Sequence, residues 1–357
     1  VSVLASGMMG SLSGSAIANA VTTGAFTIPM MRSSGFRPHV AGGIEAATAS
    51  GGALVPPVMG AGAYMMLEII DPPVTYLQII RAALIPALLY YLSLYLIVHF
   101  YGQKIHAGAP VETEETSQPL VRWEGAVFVG GLGSLIVLLL VGYTVFRSVS
   151  VAMVVVLLLA AVHERTRLTP SGILAALRRA ASNGVSLIAA AGCVGVIIGV
   201  VTLTGAGTRL PSLILPLAQD HLMLALVLIM GSSIVLGMGL PSAVCYLLMA
   251  TLIGPVLGNL GVVPLAAHLF IFYFGMMSMV TPPVALAGYA ASSISGSKLI
   301  ETSTSAFRFA LVGFTLPYMF VFRPELLMLD ASGGPAAPWR VVAAVLLAVL
   351  GILPFAA

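Results

Sequence analysis

The chain has 357 residues, of which 59% are hydrophobic and 8% are charged, and its formal net charge at pH 7 is +3. Soluble domains carry about 25% charged residues, so this composition and a mean hydropathy of +1.08 exclude an ordinary soluble protein. Continuous apolar runs reach the roughly 20 residues that cross a bilayer as helix. The sequence therefore predicts an all-α polytopic membrane protein.

The first 101 residues contain three apolar stretches, predicted as a hairpin at 1–30, an interrupted helix at 41–70 and a span at 83–101. The hairpin breaks at Ser13-Gly14-Ser15, and the helix breaks at Gly51-Gly52 and then Pro56-Pro57. These residues interrupt helices because glycine is flexible and proline lacks the N–H donor. Residues 102–124 are polar and predict a cytoplasmic loop.

The later residues give a second set of elements. They are predicted as spans within 125–204, a hairpin at 221–258, an interrupted helix at 264–290 and a span at 307–322, before a C-terminal loop and span at 323–357. Here the breaks fall at Gly237-Met238-Gly239-Leu240-Pro241-Ser242 and at Thr281-Pro282-Pro283. We therefore divide the chain into a first repeat at 1–101, a second repeat at 125–322 and the segments around them.

Lysine and arginine set the predicted orientation, because they concentrate in cytoplasmic loops. The positions assigned to the cytoplasm are Arg32 and Arg37, Lys104, the arginines within 165–179, and Lys298 with Arg308. A consistent path results if both hairpins are re-entrant, the first entering from the cytoplasm and the second from outside. The basic residues are scattered among short gaps, so no nucleic-acid surface is predicted.

The two repeats share one pattern, in which a small-residue break, a helical arm and a turn precede a helix interrupted at Pro-Pro. Ser15 precedes Pro56 by 41 positions, and Ser242 precedes Pro282 by 40. Paired interrupted segments in opposite orientations are typical of the midplane binding site of a secondary transporter. The first copy lacks the spans that precede the second hairpin, so we expect further helices upstream of Val1.

The breaks have a direct chemical meaning, because lipid cannot satisfy the backbone groups that they expose. The N-terminus of a half-helix attracts carboxylates, and exposed carbonyls opposite it can coordinate a cation. We expect such N-termini after Ser15, at Pro241-Ser242 and at the two proline pairs. Proline suits a first helical turn, where its missing N–H has no partner to lose.

The stretches SGSAIANAVTTGAFTIPMM and GFRPHVAGGIEAATASGGALVPPVMGAGAYMMLE resemble the large membrane subunit of tripartite ATP-independent periplasmic (TRAP) transporters. The resemblance is closest to the TAXI branch, in which the small and large membrane subunits are fused, and is strongest over 7–70 and 235–298. It implies a multi-pass permease of the inner membrane that imports small organic acids, dicarboxylate or glutamate-like. It also implies an elevator-type mechanism with cation symport, Na⁺ or H⁺ being the coupling ion and no cofactor being needed.

The resemblance implies the partners as well. They are an extracytoplasmic TAXI-type substrate-binding protein, a small membrane subunit expected to be fused upstream and missing here, the organic-anion substrate and the lipid bilayer. Nucleic acid is not among them.

The matched breaks motivate two sets of site residues. Substrate binding is expected at Ser15, Asn19, Pro57, Ser242, Thr281 and Pro283. Cation binding is expected at Ser13, Gly14, Gly51, Gly52, Pro56, Gly239, Leu240, Pro241, Ser278 and Pro282. No metal other than Na⁺ is predicted.

Glu45 is an acidic residue inside an apolar stretch, where a charge is costly unless it is paired or functional. Two interpretations stay open. Glu45 takes part in coupling or substrate passage, or its side chain snorkels to the interface or pairs with Arg37 or Arg32.

Other function classes are weighed against the permease. The sequence contains no HExxH or GxSxG motif and no pair of aspartates in a span, so an enzyme is not predicted. A stand-alone divalent-anion/Na⁺ symporter is the main alternative, because its hairpins are similar, and a channel is a further one. Transport without a binding protein would favour the stand-alone symporter.

Overall fold

A computed structural model describes residues 2–108, 122–164, 166–205 and 222–356. Fifteen α-helices account for nearly all regular structure in these ranges. In chain order they are α1 (Ser2–Ser13), α2 (Ala16–Ser33), α3 (Pro38–Gly52), α4 (Gly60–Ile69), α5 (Tyr76–Lys104), α6 (Arg122–Leu140), α7 (Val145–Val162), α8 (Pro170–Thr204), α9 (Leu222–Gly237), α10 (Ser242–Asn259), α11 (Pro264–Met277), α12 (Leu286–Ser295), α13 (Leu299–Phe309), α14 (Leu311–Phe322) and α15 (Pro338–Ala356).

Several helices suit a membrane. Within the described ranges, four helical segments are long and apolar enough to cross one: Tyr76–Lys104, Trp123–Leu140, Val145–Val162 and Leu299–Phe322, which joins α13 to α14. Large apolar side chains are exposed on several helices, as expected where lipid is the solvent; Phe26 is one example, with 78% of its surface exposed. The prediction of a helical membrane protein is confirmed.

The chain forms two compact units, residues 1–111 with 190–357 and residues 112–189. In the smaller unit, α6 packs along α7. Gly130 and Gly131 of α6 face Leu159 and Val156 of α7, where a methyl group would meet those side chains. Both predicted hairpins and both interrupted helices belong to the larger unit, which therefore contains every proposed site residue.

The two repeats match in helix boundaries as well as in sequence. Each contains a helix pair, α1–α2 or α9–α10, followed by an interrupted helix, α3–α4 or α11–α12. Equivalent boundaries lie 226 positions apart: Ser33 and Asn259, Pro38 and Pro264, Gly60 and Leu286, Ile69 and Ser295. Gly35 and Gly261, also 226 apart, both have positive φ angles after the helix pair ends.

Each repeat packs partly against the other. Helix α2 contacts α3 of its own repeat and α12 of the other, while α10 contacts α11 of its own repeat and α4 of the other. Each helix pair therefore packs against the first half of one interrupted helix and the second half of the other. Neither repeat can bury its helix pair completely without the other.

The interruptions differ from the predicted ones in one respect. Each proline pair was expected to start a half-helix, but the half-helices begin at Gly60 and Leu286, three residues after the second proline. The residue before a proline is disfavoured in helical conformation, and Met59 (φ 54°) and Ala285 (φ 38°) are left-handed. A right-handed helix cannot include these residues, so it starts only after them.

A close backbone contact joins α1 to the end of α3. A β-carbon built on Gly10 would lie 2.6 Å from the Gly52 Cα and 2.6 Å from the Asn19 Nδ2. We expect Gly10→Ala to destabilise the protein by about 1–3 kcal/mol, because backbone atoms cannot move aside cheaply. A lower midpoint of thermal unfolding in detergent would show this.

The matched control is Gly133→Ala in α6, where a β-carbon would meet no atom within 4 Å. Its unfolding midpoint should equal or exceed that of the wild type, since alanine favours helix over glycine. Equal midpoints for the two variants would contradict the tight contact.

Candidate functional site

The first hairpin turns at its predicted break and touches the interruption of its own repeat. Helix α1 ends at Ser13, Gly14 has φ +60°, and Ser15 caps α2 by accepting a hydrogen bond from the Ala18 N–H at 3.3 Å. A β-carbon on Gly14 would collide with the Cα of Gly60, where α4 begins. Glycine is needed at position 14 both for its left-handed backbone and for this close approach.

The residues around the first interruption have different environments. Gly52 faces Gly10 of α1, but Gly51 packs against the ring of Tyr90, whose hydroxyl donates to the Ala47 carbonyl at 2.8 Å. The structure thus brings Gly52 near the hairpin and gives Gly51 a packing role. Asn19 lies beneath the turn, fully buried, and donates to the Ser6 carbonyl at 2.8 Å.

The first interruption leaves backbone carbonyl groups available as hydrogen-bond acceptors. The carbonyls of Val55 and Pro56 accept no hydrogen bond from any residue in the described ranges. The carbonyls of Pro57 and Val58 lie 2.9 and 2.6 Å from the Tyr76 hydroxyl, which can donate to either. Neutral oxygens are therefore available at this interruption.

The second hairpin touches the second interruption in the same way. A β-carbon on Gly237, the last residue of α9, would lie 2.8 Å from the Ser278 hydroxyl oxygen. Ser278 corresponds to Gly52, 226 positions earlier. Gly239 has φ +80° and open space around it, and Leu240 and Pro241 complete the turn before α10. The side chain of Ser242 lies outside the described part of the structure.

Ser278 and Thr281 supply hydroxyls at the second interruption. They donate to the carbonyls of Gly275 and Met277, both at 2.7 Å, which leaves their oxygen lone pairs as acceptors. The Pro282 carbonyl accepts no hydrogen bond from a described residue, and Pro283 follows it in the same interruption. Gly237 thus lies beside a hydroxyl of its own repeat, as Gly14 lies beside the backbone of Gly60.

The polar groups at the turns and interruptions are mainly oxygen atoms of backbone carbonyls and hydroxyls. No group of three histidine, cysteine, aspartate or glutamate side chains that could hold a metal ion occurs among the described residues. The turns offer neutral oxygen atoms, which are the ligands of hard cations. Exposed carbonyls at helix breaks coordinate coupling ions in transporters with repeated, interrupted helices.

Glu45 is held by hydroxyl groups. It is fully buried on α3, and its carboxylate contacts the hydroxyls of Ser6 at 2.9 Å, Thr27 at 2.5 Å and Thr23. Ser6 belongs to α1 and the two threonines to α2, so one carboxylate joins α3 to both helices of the hairpin. Within the described ranges Glu45 forms no ion pair, so the interpretations of snorkelling and of arginine pairing are wrong.

Arg32 and Arg37, the predicted partners of Glu45, form no ion pair with its carboxylate. Arg32 approaches the Ser295 carbonyl at 3.5 Å, and Arg37 lies at the start of α3, eight positions before Glu45. The only ion pair found in the described ranges joins Lys298 and Glu301 at the surface. Pairing was expected from proximity in sequence, but burial places the Glu45 carboxylate among hydroxyls at the hairpin instead.

The hydroxyls around Glu45 were not predicted from the sequence, although the spacing of polar residues in α2 indicates them. Asn19, Thr23 and Thr27 recur every four residues and therefore share one face of α2. The second repeat has no equivalent carboxylate: Glu45 is the eighth residue of α3, and the eighth residue of α11 is Ile271, which is also fully buried. The polar contact is therefore a property of one repeat only.

Comparison with known proteins gives two matches. The family model described as "Tripartite ATP-independent periplasmic transporter, DctM component" matches residues 1–333. The chain is also similar to the 2,3-diketo-L-gulonate TRAP transporter large permease protein YiaN of Escherichia coli (strain K12). The two are 25% identical over 345 residues, covering 92% of this chain and 76% of the relative.

The hydroxyls around Glu45 should contribute to stability. We expect Thr27→Val to destabilise the protein by about 1–3 kcal/mol, because it removes a hydrogen bond to a buried carboxylate. Thr22→Val is the matched control on the same helix, since the Thr22 hydroxyl is exposed and contacts only the Ala18 carbonyl. Thermal unfolding in detergent measures both, and an equal loss in the two variants would contradict the role of Thr27.

Proposed function

Because the chain belongs to the DctM family of TRAP transporters, we propose that it moves small organic acids across the inner membrane together with a coupling cation. Membership makes it a multi-pass membrane subunit of a secondary transporter for organic acids, and a permease rather than an enzyme. Members of this family work with a periplasmic binding protein and a small membrane subunit. The coupling ion, the mechanism and the branch are the parts that we propose.

One observation carries the proposal: each hairpin turn lies against the interruption of its own repeat. Gly14 lies against Gly60 at the start of α4, and Gly237 lies against the Ser278 hydroxyl at the end of α11. We propose that the helix pairs are re-entrant hairpins and that the two contacts form a pair of cation sites. An elevator-type movement would then carry both contacts with the substrate.

The proposed cation ligands are neutral oxygens of the turns and interruptions. In the first repeat they belong to Ser13, Gly14, Gly52 and Pro56, and in the second to Gly239, Leu240, Pro241, Ser278 and Pro282. Gly51 acts through packing on Tyr90. Two bound cations would offset the charge of an organic anion in a site without a charged side chain of its own.

The substrate anion is proposed to bind between the two turns. The N-termini of α2 and α10, at Ser15 and Ser242, carry partial positive charge that favours carboxylates. Pro57, Thr281 and Pro283 line the interruptions on the other side. Asn19 would act indirectly, because its buried side chain holds α1 against α2 beneath the turn.

Glu45 supports a proton as the alternative coupling ion. When the carboxylate is ionised, the three hydroxyls can donate to it. When it is protonated, Thr23 and Thr27 can donate to the carbonyls of Asn19 and Thr23, at 2.8 and 3.0 Å, and one of the two hydroxyls can accept the single acid proton. The same contacts therefore fit both protonation states without moving a helix.

The proposals for substrate and branch rest on resemblance and not on the geometry of the site. The name of the relative specifies 2,3-diketo-L-gulonate, an organic acid. For this chain we propose the TAXI branch, with a TAXI-type binding protein, a fused small subunit and a dicarboxylate or glutamate-like substrate. A stand-alone divalent-anion/Na⁺ symporter is the second candidate, favoured only by the hairpins it would share.

The central test is uptake into proteoliposomes that contain the full-length permease. Labelled C4–C5 dicarboxylates and glutamate are supplied with and without the binding protein, under separate Na⁺ and H⁺ gradients. We expect uptake to require the binding protein and one gradient. Uptake without the binding protein would instead establish the stand-alone symporter, and Glu45→Gln should abolish uptake driven by H⁺ but not uptake driven by Na⁺.

The turn at Gly14 should be essential for uptake. We expect Gly14→Ala to lower the initial rate at least tenfold, because the added methyl group collides with Gly60 at a proposed cation site. Gly35→Ala is the matched control, since Gly35 also has a positive φ but no atom within 4 Å of its β-carbon. Similar rates for the two variants, at equal amounts of inserted protein, would refute the site.

A further inference from the structure

A cavity with both polar and apolar lining lies at the other end of α3 from the interruption. Its volume is about 340 Å³, and its lining includes Arg37 and His39 from the start of α3, Tyr101 from α5, and Ser305, Arg308 and Phe309 from α13. Helix α3 has 15 residues, which corresponds to roughly 22 Å at about 1.5 Å per residue. The cavity is therefore separate from the contact between Gly10 and Gly52.

The cavity has an uncompensated positive charge. Arg37 and Arg308 both line it, no acidic residue does, and neither guanidinium group has a hydrogen bond or ion pair with another residue in the described ranges. Both arginines are exposed, so water screens their mutual repulsion, and an anion bound between them would gain from both charges. A guanidinium donates several hydrogen bonds from one plane, which matches the oxygens of a phosphate.

The cavity also has an apolar side. The ring of Tyr101 lies between those of Phe36 and Phe309, with both centroid distances 5.8 Å, and Ile97 lines the cavity one turn earlier on α5. On the same helix, Tyr95 and Phe100 are exposed. A phosphate with attached hydrocarbon would use both sides of this cavity, whereas inorganic phosphate would use only the charged one.

From these observations we propose that the cavity binds the phosphate of an anionic phospholipid headgroup from the cytoplasmic leaflet. Arg37 and Arg308 contact the phosphate, Ser305 and His39 complete its hydrogen bonds, and the acyl chains lie along α5. The positive-inside rule places both arginines at the cytoplasmic surface, and basic pockets between transmembrane helices on that side suit anionic headgroups. The lipid would link α5 to α3 and α13.

Native mass spectrometry of the delipidated permease tests the proposal. The protein is titrated with dioleoylphosphatidylglycerol, with dioleoylphosphatidylcholine and with inorganic phosphate. We expect phosphatidylglycerol to be retained in preference to phosphatidylcholine, and this retention to fall roughly tenfold or more in R37A/R308A, since each arginine near the headgroup contributes on the order of a few-fold in affinity. R37K/R308K keeps the charge but loses the planar donors. Its retention of phosphatidylglycerol should lie between that of the wild type and that of R37A/R308A.

R178A/R179A is the matched control, because it removes two exposed arginines of α8 that do not line the cavity. It should retain phosphatidylglycerol like the wild type. Equal losses in both double variants would overturn the proposal, as would equal retention of the two lipids. Displacement of the lipid by millimolar phosphate would also overturn it and would assign the arginines to a free anion. Thermal unfolding of each variant confirms that it is folded.

Discussion

An interrupted helix inside a bilayer exposes backbone groups that hydrocarbon cannot satisfy, and the larger unit of this protein is organised around that constraint. Each interruption lies against the turn of a hairpin, and glycine makes the contact close enough to exclude lipid: Gly10 and Gly14 in the first repeat, Gly237 in the second. The same closeness gathers carbonyls and hydroxyls in two places. Under the proposed function, the same atoms would satisfy the backbone inside the membrane and bind the coupling cations.

The sequence predicted the parts of the fold that have local causes. Clusters of glycine, serine and proline favour helix interruptions, whereas the single prolines Pro29 and Pro86 lie inside α2 and α5. The breaks after Ser13 and Gly52, and those near Pro241 and Thr281, could be placed because such residues cluster there. The starts of α4 and α12 could not be predicted. They depend on the left-handed backbone of Met59 and Ala285, which these residue types do not indicate. The role of Gly51 was also hidden, since it depends on Tyr90, 39 positions away.

Glu45 shows why the site was harder to predict than the fold. Its apolar surroundings in the sequence correctly indicated a costly charge, but the choice of partner depended on which helices pack together. Ser6 lies 39 positions away and Thr27 lies 18 away, whereas the arginines that seemed natural partners stay at the surface. Hydroxyls on a helix face give a weak signal, because serine and threonine often bond only their own backbone, as Thr22 does.

The exchange of contacts between the repeats bears on how the protein is made. Helix α2 leaves the ribosome more than 250 residues before α12, the half-helix against which it finally packs, and α4 similarly precedes α10. Domains generally fold as units during synthesis, but this unit cannot be completed until its last third has been inserted. The early hairpin must therefore wait in the membrane with one face unpartnered, and the insertion machinery or neighbouring lipid has to accommodate it during that interval.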